Sequence, residues 1–182
     1  MTDSPAIETD GLRVEYGDVL ALDDLTLSVE RGAAFGFLGP NGSGKTTTID
    51  VLTGQRTPTS GSARVLGMDP VADPVGVRRA VGIVPEGEHP PSFMTPREYF
   101  QFVADNRGIE DLESKIEEWS DRLLMEDTLD TLTTDLSKGQ RQKVMLTQAF
   151  LHEPELVFID EPLVNLDPIV QERVKDFFRE YH

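Results

Sequence analysis

One short stretch decides the fold, and it reads Gly39-Pro40-Asn41-Gly42-Ser43-Gly44-Lys45-Thr46. It follows a continuous apolar run at residues 33–38 and precedes residues 46–52, whose composition suits a helix. A continuous apolar run that ends in glycine is typical of a strand buried on both faces. The order therefore predicts a buried strand, a glycine-rich loop and a helix, as in an α/β fold.

The loop has the spacing G-x-x-x-x-G-K-[ST] of a P-loop, and a strand before it and a helix after it form the setting in which that pattern binds phosphate. Glycines allow backbone N–H groups to converge on phosphate oxygens, and the helix N-terminus adds a positive dipole. Lys45 is expected to reach the β- and γ-phosphates, and the Thr46 hydroxyl to ligate Mg²⁺. The predicted nucleotide-binding residues of this stretch are Gly39, Pro40, Asn41, Gly42, Ser43, Gly44, Lys45, Thr46 and Thr47.

An acidic pair supplies the second half of the predicted site. Asp160 follows the short apolar run Leu156–Ile159, where a carboxylate can hold the magnesium shell. Glu161 comes next and is the predicted catalytic residue, because it would polarise or deprotonate the attacking water. An acidic turn residue before Pro162 is the alternative interpretation of Glu161.

The composition narrows the possible classes of protein. The 17 basic and 33 acidic residues give a formal net charge of −16, which argues against a nucleic-acid partner because phosphate backbones bind positive surfaces. Cysteine is absent and the histidines are scattered, so any metal must be held by oxygen ligands. No stretch approaches the roughly 18 apolar residues of a membrane-spanning helix, and the polar start lacks the layout of a secretory signal, so we expect a cytoplasmic chain. The spread of acidic residues predicts a surface suited to concentrated salt, with ordinary solubility charge as the alternative.

Periodicity predicts the remaining elements. Predicted strands lie at residues 12–16, 25–29, 64–66, 81–84 and 156–159. Predicted helices lie at residues 46–52, 96–106, 113–125 and 139–152, and a last one begins at residue 168. Thr95 before Pro96 is an N-cap followed by a proline at the first helical position. Trp119 is expected to be a core anchor of the helix at 113–125.

A second motif discriminates among the many classes of protein that contain a P-loop, and it reads Leu136-Ser137-Lys138-Gly139-Gln140. It resembles the L-S-G-G-Q signature of the ATP-binding domains of ABC transporters, and its position before the Asp160 strand is also similar to that of the family. Residues 165–168 resemble the D-loop of the same family. These motifs occur in the family's order, and the resemblance covers nearly the whole chain.

The resemblance implies an α/β fold of the P-loop NTPase type, with a RecA-like core sheet, an N-terminal antiparallel β subdomain and an α-helical subdomain inserted at about residues 87–135. It implies that the chain binds ATP and Mg²⁺ and hydrolyses ATP to power transport. The implied partners are membrane-spanning transporter subunits and a second ATP-binding subunit, identical or different, in a head-to-tail dimer. The chain would then lie in the cytoplasm, peripheral on the inner face of the cell membrane.

In the family the signature faces the ATP of the partner subunit. Ser137, the Gly139 backbone and the helix start at Gln140 would then donate hydrogen bonds to that nucleotide. A simple Ser-capped helix is the alternative interpretation. By resemblance, Asp167 lies at the dimer interface and communicates between the two sites, and a role as N-cap before Pro168 can hold at the same time.

Two more residues acquire roles from the resemblance. Tyr16 matches the aromatic residue that stacks on adenine, and a buried sheet tyrosine is the alternative interpretation. Glu86 stands where the family usually has a glutamine that touches Mg²⁺ and the lytic water, and a glutamate can still ligate a hard cation. Glu86 and Lys138, which replaces a signature glycine, resemble the drug- and lipid-exporting branch, so export is the expected direction.

Two alternative functions stay open. One is a soluble ABC protein that acts on ribosomes or DNA, which the negative charge disfavours. The other is a subunit that binds ATP but hydrolyses little. In the family a strand and a switch histidine follow the helix after the D-loop, and both would fall beyond His182. We therefore expect an incomplete C-terminus, with unpaired strand edges, ready aggregation and slow ATP turnover.

Overall fold

The computed structural model describes residues 4–85, 87, 89–160 and 165–181, and the strands in this part of the chain form two sheets. The first sheet has the order β2-β1-β3, built from β1 (Ile7–Tyr16), β2 (Val19–Val29) and β3 (Ser60–Val65). The second pairs β4 (Val81–Val84) with β5 (Leu156–Ile159). The chain divides into two compact units, Met1–Val81 and Gly82–His182, which are described separately.

The antiparallel sheet forms the centre of the first unit. β1 lies between its two neighbours and pairs antiparallel with both. Leu12, Val14 and Leu22 are buried on one side of this sheet, while their neighbours along the strands are half-buried or exposed. The alternation has the period of two that a sheet with one buried face requires. The strands predicted at 12–16 and 25–29 are confirmed and are longer than expected, whereas β3 overlaps the strand predicted at 64–66 only at its last two residues and begins earlier, at Ser60.

Two helices complete the first unit. α1 (Lys45–Leu52) confirms the helix predicted at residues 46–52. α2 (Pro74–Ala80) was not predicted, although its start carries two ordinary signals: the Asp73 carboxylate accepts a hydrogen bond from the Gly76 N–H at 2.9 Å, and Pro74 occupies the first turn. The signals were masked by the surrounding Pro, Gly and Asp residues, which indicate a loop by composition alone.

The strand predicted at residues 33–38 is wrong. These residues belong to no helix and to neither sheet, and both Phe35 and Leu38 are exposed, by 52 % and 98 % respectively. A strand exists only where its backbone N–H and C=O groups pair with a neighbouring strand, and within the described residues no strand pairs with this segment. The segment has the apolar composition of a buried strand, but composition alone does not provide a neighbouring strand to pair with.

Helices dominate the second unit. They are α3 (Pro96–Arg107), α4 (Leu112–Leu123), α5 (Lys138–Phe150) and α6 (Pro168–Glu180), with 3-10 turns at Glu126–Thr128 and Thr133–Asp135. The predicted start of α3 is confirmed: the Thr95 hydroxyl accepts from the Glu98 N–H at 3.2 Å, and the Glu98 carboxylate accepts from the Thr95 N–H at 2.9 Å. No helix among the described residues is both long enough and apolar enough to cross a bilayer.

An aromatic cluster anchors the core of the second unit. Trp119 is 7 % exposed; its ring stacks on Phe150 with centroids 5.3 Å apart and meets Phe177 edge-on at 4.9 Å. Arg122 places its guanidinium 4.4 Å above the Phe177 ring. Stacked and edge-on pairs each add about 0.5–1.5 kcal/mol beyond the buried area. The prediction that Trp119 is a core anchor is confirmed, and the cluster ties α6 to α4 and α5.

The two strands of the second unit match the predictions at 81–84 and 156–159. The Asp160 N–H donates to the Val84 carbonyl at 2.9 Å, at the end of the paired segment. The Gln148 side-chain amide of α5 donates to the Ile83 carbonyl at 3.0 Å. A Cβ on Gly82 would lie 2.4 Å from the Ala149 carbonyl oxygen, so glycine is what allows α5 to pack this closely against β4.

Candidate functional site

Two glycines shape the predicted phosphate loop. Gly42 and Gly44 have φ angles of 82° and 88°, a region that residues with a Cβ rarely adopt. A Cβ on Gly44 would also lie 2.6 Å from the Ala21 carbonyl oxygen and 2.6 Å from Leu22 Cδ2 of β2. The loop is therefore packed against β2 at the residue from which α1 begins, and only glycine fits there.

The N-terminus of α1 has a positive dipole that no acidic side chain of its own first turn offsets. The residue before the helix, Gly44, offers no side-chain cap, and the first turn contains no acidic residue. Lys45 curls back over the loop, and its Nζ donates to the carbonyls of Gly39 and Pro40 at 2.9 and 3.1 Å. Both acceptors are neutral, so these contacts hold the amine in place without neutralising its charge. The arrangement is suited to an anion that has several oxygens.

The remaining loop residues frame the same end of α1. The Ser43 N–H donates to the Pro40 carbonyl at 3.2 Å, which closes the turn around Asn41. Thr46 lies exposed in the first turn of the helix, where its hydroxyl can reach a ligand. Thr47 lies beside it, half-buried, with its hydroxyl 3.4 Å from that of Tyr16. The structure thus brings Tyr16 and the start of α1 together.

Tyr16 is the last residue of β1 and stays 39 % exposed. The alternative interpretation as a buried sheet tyrosine is therefore wrong. One face of the ring is covered by Arg56, whose guanidinium carbon lies 4.1 Å from the ring centroid. Arg56 was not singled out in the sequence, because a contact between residues 16 and 56 has no local pattern. An exposed tyrosine backed by an arginine is suited to stacking on a planar base.

The acidic half of the predicted site lies in the second unit. Asp160 directly follows β5 and is partly buried. The predictions for Glu161 and Glu86 lie outside the described residues. Among the described residues, no group of three or more His, Cys, Asp and Glu side chains clusters as a metal site. Magnesium is normally held by one or two carboxylates together with substrate phosphates, so a single carboxylate such as that of Asp160 is a chemically suitable ligand.

The signature residues form the start of α5. The Ser137 hydroxyl accepts from the Gln140 N–H at 3.2 Å, and the Gln140 side-chain oxygen accepts from the Ser137 N–H at 2.8 Å. The Ser-capped helix is thus present in this structure, with the helix beginning at Lys138, one residue earlier than predicted. The N–H groups of Lys138 and Gly139 belong to the first turn, so they have no acceptor within the helix.

The segment that resembles a D-loop packs directly on the signature helix. A Cβ on Gly139 would lie 2.4 Å from the Asn165 carbonyl oxygen, so glycine permits this approach. Asp167 caps α6, with one carboxylate oxygen accepting from the Val170 N–H at 3.0 Å. Its other oxygen lies 3.7 Å from Nζ of Lys143, a lysine of α5 that is only 8 % exposed. Lys143 was missed by sequence reasoning.

The charge of Asp167 is favoured by its surroundings. The hydrogen bond from the Val170 N–H lowers the pKa of the Asp167 carboxyl, and the positive charge of Lys143 lowers this pKa further. Lys143 also donates to the Leu124 carbonyl at 3.0 Å, which fixes its amine between α4 and the start of α6. The signature helix and the segment that resembles a D-loop are therefore linked by the buried amine of Lys143 and by the close approach of Gly139 to the Asn165 backbone.

Comparisons with known proteins agree on one family. The family description "ABC transporter" matches residues 22–164, which include the phosphate loop, the signature and Asp160. The chain is 32 % identical over 165 residues to the ABC transporter ATP-binding protein NatA of Bacillus subtilis, and the match covers 89 % of this chain and 67 % of that protein.

Two further relatives are longer than the chain. The Nod factor export ATP-binding protein I of Cupriavidus pinatubonensis is 32 % identical over 93 % of this chain and 54 % of its own length. The phospholipid-transporting ATPase ABCA3 of Rattus norvegicus is 35 % identical over 97 % of this chain and 11 % of its own length. The chain thus spans about half, or much less, of these two relatives.

A solved structure described as the ATP-binding subunit of an ABC transporter superimposes on the chain with a TM-score of 0.89. The two sequences are 30 % identical, and the superposition covers 97 % of this chain and 74 % of the other. The expected α/β fold, with an antiparallel N-terminal sheet, is therefore confirmed.

Proposed function

This chain belongs to the ABC transporter family as one of its ATP-binding domains, and we propose that it binds and hydrolyses Mg-ATP to power export. The observation that carries the proposal is the start of α1, where Lys45, two glycines with positive φ and a helix N-terminus without acidic residues are held in one short loop. Such a loop stabilises a triphosphate by backbone donors and by one fixed positive charge.

Each proposed site residue has a defined task. Residues 39–47 bind the phosphates, Tyr16 stacks on the adenine, and the Thr46 hydroxyl and the Asp160 carboxylate are oxygen ligands for Mg²⁺. Magnesium, when bound, neutralises charge on the β- and γ-phosphates. Glu86, from the sequence alone, is proposed as a further metal ligand. Glu161 is proposed to polarise the attacking water, again on sequence grounds.

The signature, residues 136–140, is the basis for proposing that the chain forms a dimer with a second ATP-binding subunit. The N–H groups of Lys138 and Gly139, which have no acceptor within the helix, would donate to nucleotide held mainly by a second ATP-binding subunit, with Ser137, Gly139 and Gln140 in contact. The capping box orients this helix start without using the N–H groups of Lys138 and Gly139. We expect a head-to-tail dimer beneath membrane-spanning subunits, on the cytoplasmic face of the membrane. Each nucleotide in it would be bound by the phosphate loop of one subunit and the signature of the other.

Export is proposed as the direction of transport. The chain resembles a Nod factor export protein, and Lys138 stands where a glycine is usual in the signature. Membrane subunits would supply the substrate contacts. Co-purification with a protein that has several apolar spans would support this part of the proposal, whereas co-purification with ribosomes would overturn it.

Binding with little hydrolysis is the second candidate function. The exposed residues Phe35 and Leu38 precede the phosphate loop without strand pairing among the described residues, which favours a loop that binds nucleotide without fixing the geometry needed for hydrolysis. A phosphate-release assay separates the two functions. Turnover that is abolished by Glu161→Gln, with Mg-ATP binding retained, supports the first, and binding without turnover supports the second.

Calorimetry of Lys45→Ala tests the nucleotide assignment. A hydrogen bond to a charged group contributes about 1.5–3 kcal/mol, so we expect Mg-ATP affinity to fall by roughly tenfold or more. Lys175→Ala is the matched control, because Lys175 is a half-buried lysine of α6 whose Nζ lies 2.6 Å from the Glu172 carboxylate. Equal affinities of the Lys45→Ala variant and the control would refute the assignment of Lys45.

A further inference from the structure

The guanidinium of Arg56 covers one face of the Tyr16 ring. Its guanidinium carbon lies 4.1 Å from the ring centroid, a distance at which a cation is attracted to the electron-rich face. Its Nε is buried and has no hydrogen-bond partner within the part of the chain that the structure describes. The ring face is the contact recorded for this guanidinium, so moving the guanidinium away would give up the attraction between cation and ring.

The backbone around Arg56 is fixed at both ends. The Arg56 N–H donates to the Asp50 carbonyl of α1 at 3.1 Å. Three residues later, the Thr59 N–H donates to the Arg13 carbonyl at 2.8 Å, and the Thr59 hydroxyl accepts from the Glu15 N–H at 3.0 Å. The segment therefore bridges the end of α1 and the strand that carries Tyr16, so the stack of arginine on tyrosine is built into the fold.

Only one face of the Tyr16 ring is open to a bound base. Tyr16 is still 39 % exposed, and its hydroxyl lies 3.4 Å from that of Thr47, next to the phosphate loop. With one face taken by the guanidinium, a base can stack only on the other. A ring that is already held in one orientation loses less conformational entropy when the base arrives.

We propose that Arg56 is a positioning residue for the adenine base: it holds the Tyr16 ring from behind, so that guanidinium, tyrosine and base form a three-layer stack. This inference rests on the proposed function and extends it from the phosphates to the base. Arg56 itself does not touch the phosphates in this proposal, so its contribution should depend on the base and on Tyr16.

The test measures the affinity of the wild-type chain and its variants for Mg-ATP and for Mg-tripolyphosphate, which lacks a base. A cation over an aromatic ring contributes about 0.5–1 kcal/mol at an exposed site, so Arg56→Ala should weaken Mg-ATP binding about two- to fivefold. Binding of Mg-tripolyphosphate should not change. Arg56→Lys keeps a cation above the ring and should restore most of the affinity for Mg-ATP.

A double-mutant cycle and a charge control complete the experiment. In a Tyr16→Ala background the Arg56→Ala change should have no further effect on Mg-ATP binding. Arg64→Ala removes the same charge from an exposed position on β3 and should leave both affinities unchanged. Melting curves of each variant verify that it is folded.

Four results would overturn the inference. An equal loss for Mg-ATP and Mg-tripolyphosphate would make Arg56 a phosphate or folding residue, and tighter Mg-ATP binding by Arg56→Ala would mean that it blocks the face the base needs. An undiminished effect in the Tyr16→Ala background would show that it does not act through the ring. If the wild-type chain itself fails to bind Mg-ATP, the proposed function fails, whereas normal binding that Arg56→Ala leaves unchanged removes only the inference.

Discussion

Two apolar runs precede predicted nucleotide-binding motifs in this chain, and only one of them forms a strand. The first run, residues 33–38, leads into the phosphate loop and leaves Phe35 and Leu38 exposed. The second run, Leu156–Ile159, leads into Asp160; it forms β5, pairs with β4 and buries Phe158 to 7 % exposure. Both have the composition of a buried strand, so composition cannot account for the difference.

The difference lies in the neighbours. β5 has a partner strand, and the hydrogen bond from the Asp160 N–H to the Val84 carbonyl continues the pairing to the motif. The first run has no pairing strand among the described residues, yet the phosphate loop that follows it is packed tightly at Gly44. A motif can thus be held by the elements behind it, even where the segment before it is unpaired. The four predictions below test this comparison.

The largest effect is expected from the second run. Phe158→Ala should lower the free energy of unfolding by about 3–5 kcal/mol, because it removes a buried aromatic side chain and leaves a cavity. Urea unfolding measures the loss. Phe102→Ala is the matched control, since Phe102 of α3 is 53 % exposed and should lose far less. A similar loss for both variants would mean that β5 is not part of a packed core.

Gly44→Ala tests how firmly the phosphate loop is held. The new Cβ would meet a backbone oxygen at 2.6 Å and the φ of 88° would be strained, so we expect a loss of about 1–3 kcal/mol on unfolding in urea. Gly17→Ala has a similar positive φ of 59° but nothing within 4 Å of the new Cβ. If the two variants lose the same stability, the contact with β2 does not hold the loop.

The effect of salt on stability shows how much the net negative charge contributes, apart from the lack of strand pairing at residues 33–38. The net charge of −16 repels itself in dilute buffer, and molar KCl screens that repulsion, so the melting temperature should rise by roughly a few degrees. Thermal unfolding in dilute buffer and in molar KCl measures the change, with sucrose at equal osmolarity as the uncharged control. A melting temperature that stays constant in KCl would contradict the salt-adapted surface.

The smallest effect is expected from the first run. Leu38 is 98 % exposed, so Leu38→Gln should change the free energy of unfolding by no more than about 0.5 kcal/mol. Leu52→Gln places the same change at a fully buried position of α1 and should be strongly destabilising. If Leu38→Gln costs as much as Leu52→Gln, the first run is buried in solution and the comparison of the two runs fails.

The motifs could be recognised from the sequence, because each motif is a local pattern. The glycine spacing of residues 39–46, the cap at Thr95 and the apolar run before Asp160 all depend on neighbours within a few positions. The helix after the glycine loop, the helix after Thr95 and the strand before Asp160 follow the prediction, as α1, α3 and β5, whereas the strand before the glycine loop does not. The family assignment, which the comparisons show, rests on the same local patterns.

Tertiary structure decided what no local pattern contains. Whether residues 33–38 become a strand depends on a partner strand, and the cover of Arg56 on Tyr16 joins residues forty positions apart. The burial of Lys143 beside Asp167 likewise requires α5 and the start of α6 to pack together. The physical reason is the same in each case: strand pairing, ring contacts and buried ion pairs form between segments distant in the sequence, so the sequence by itself determines the side chains available and the fold determines which of them meet.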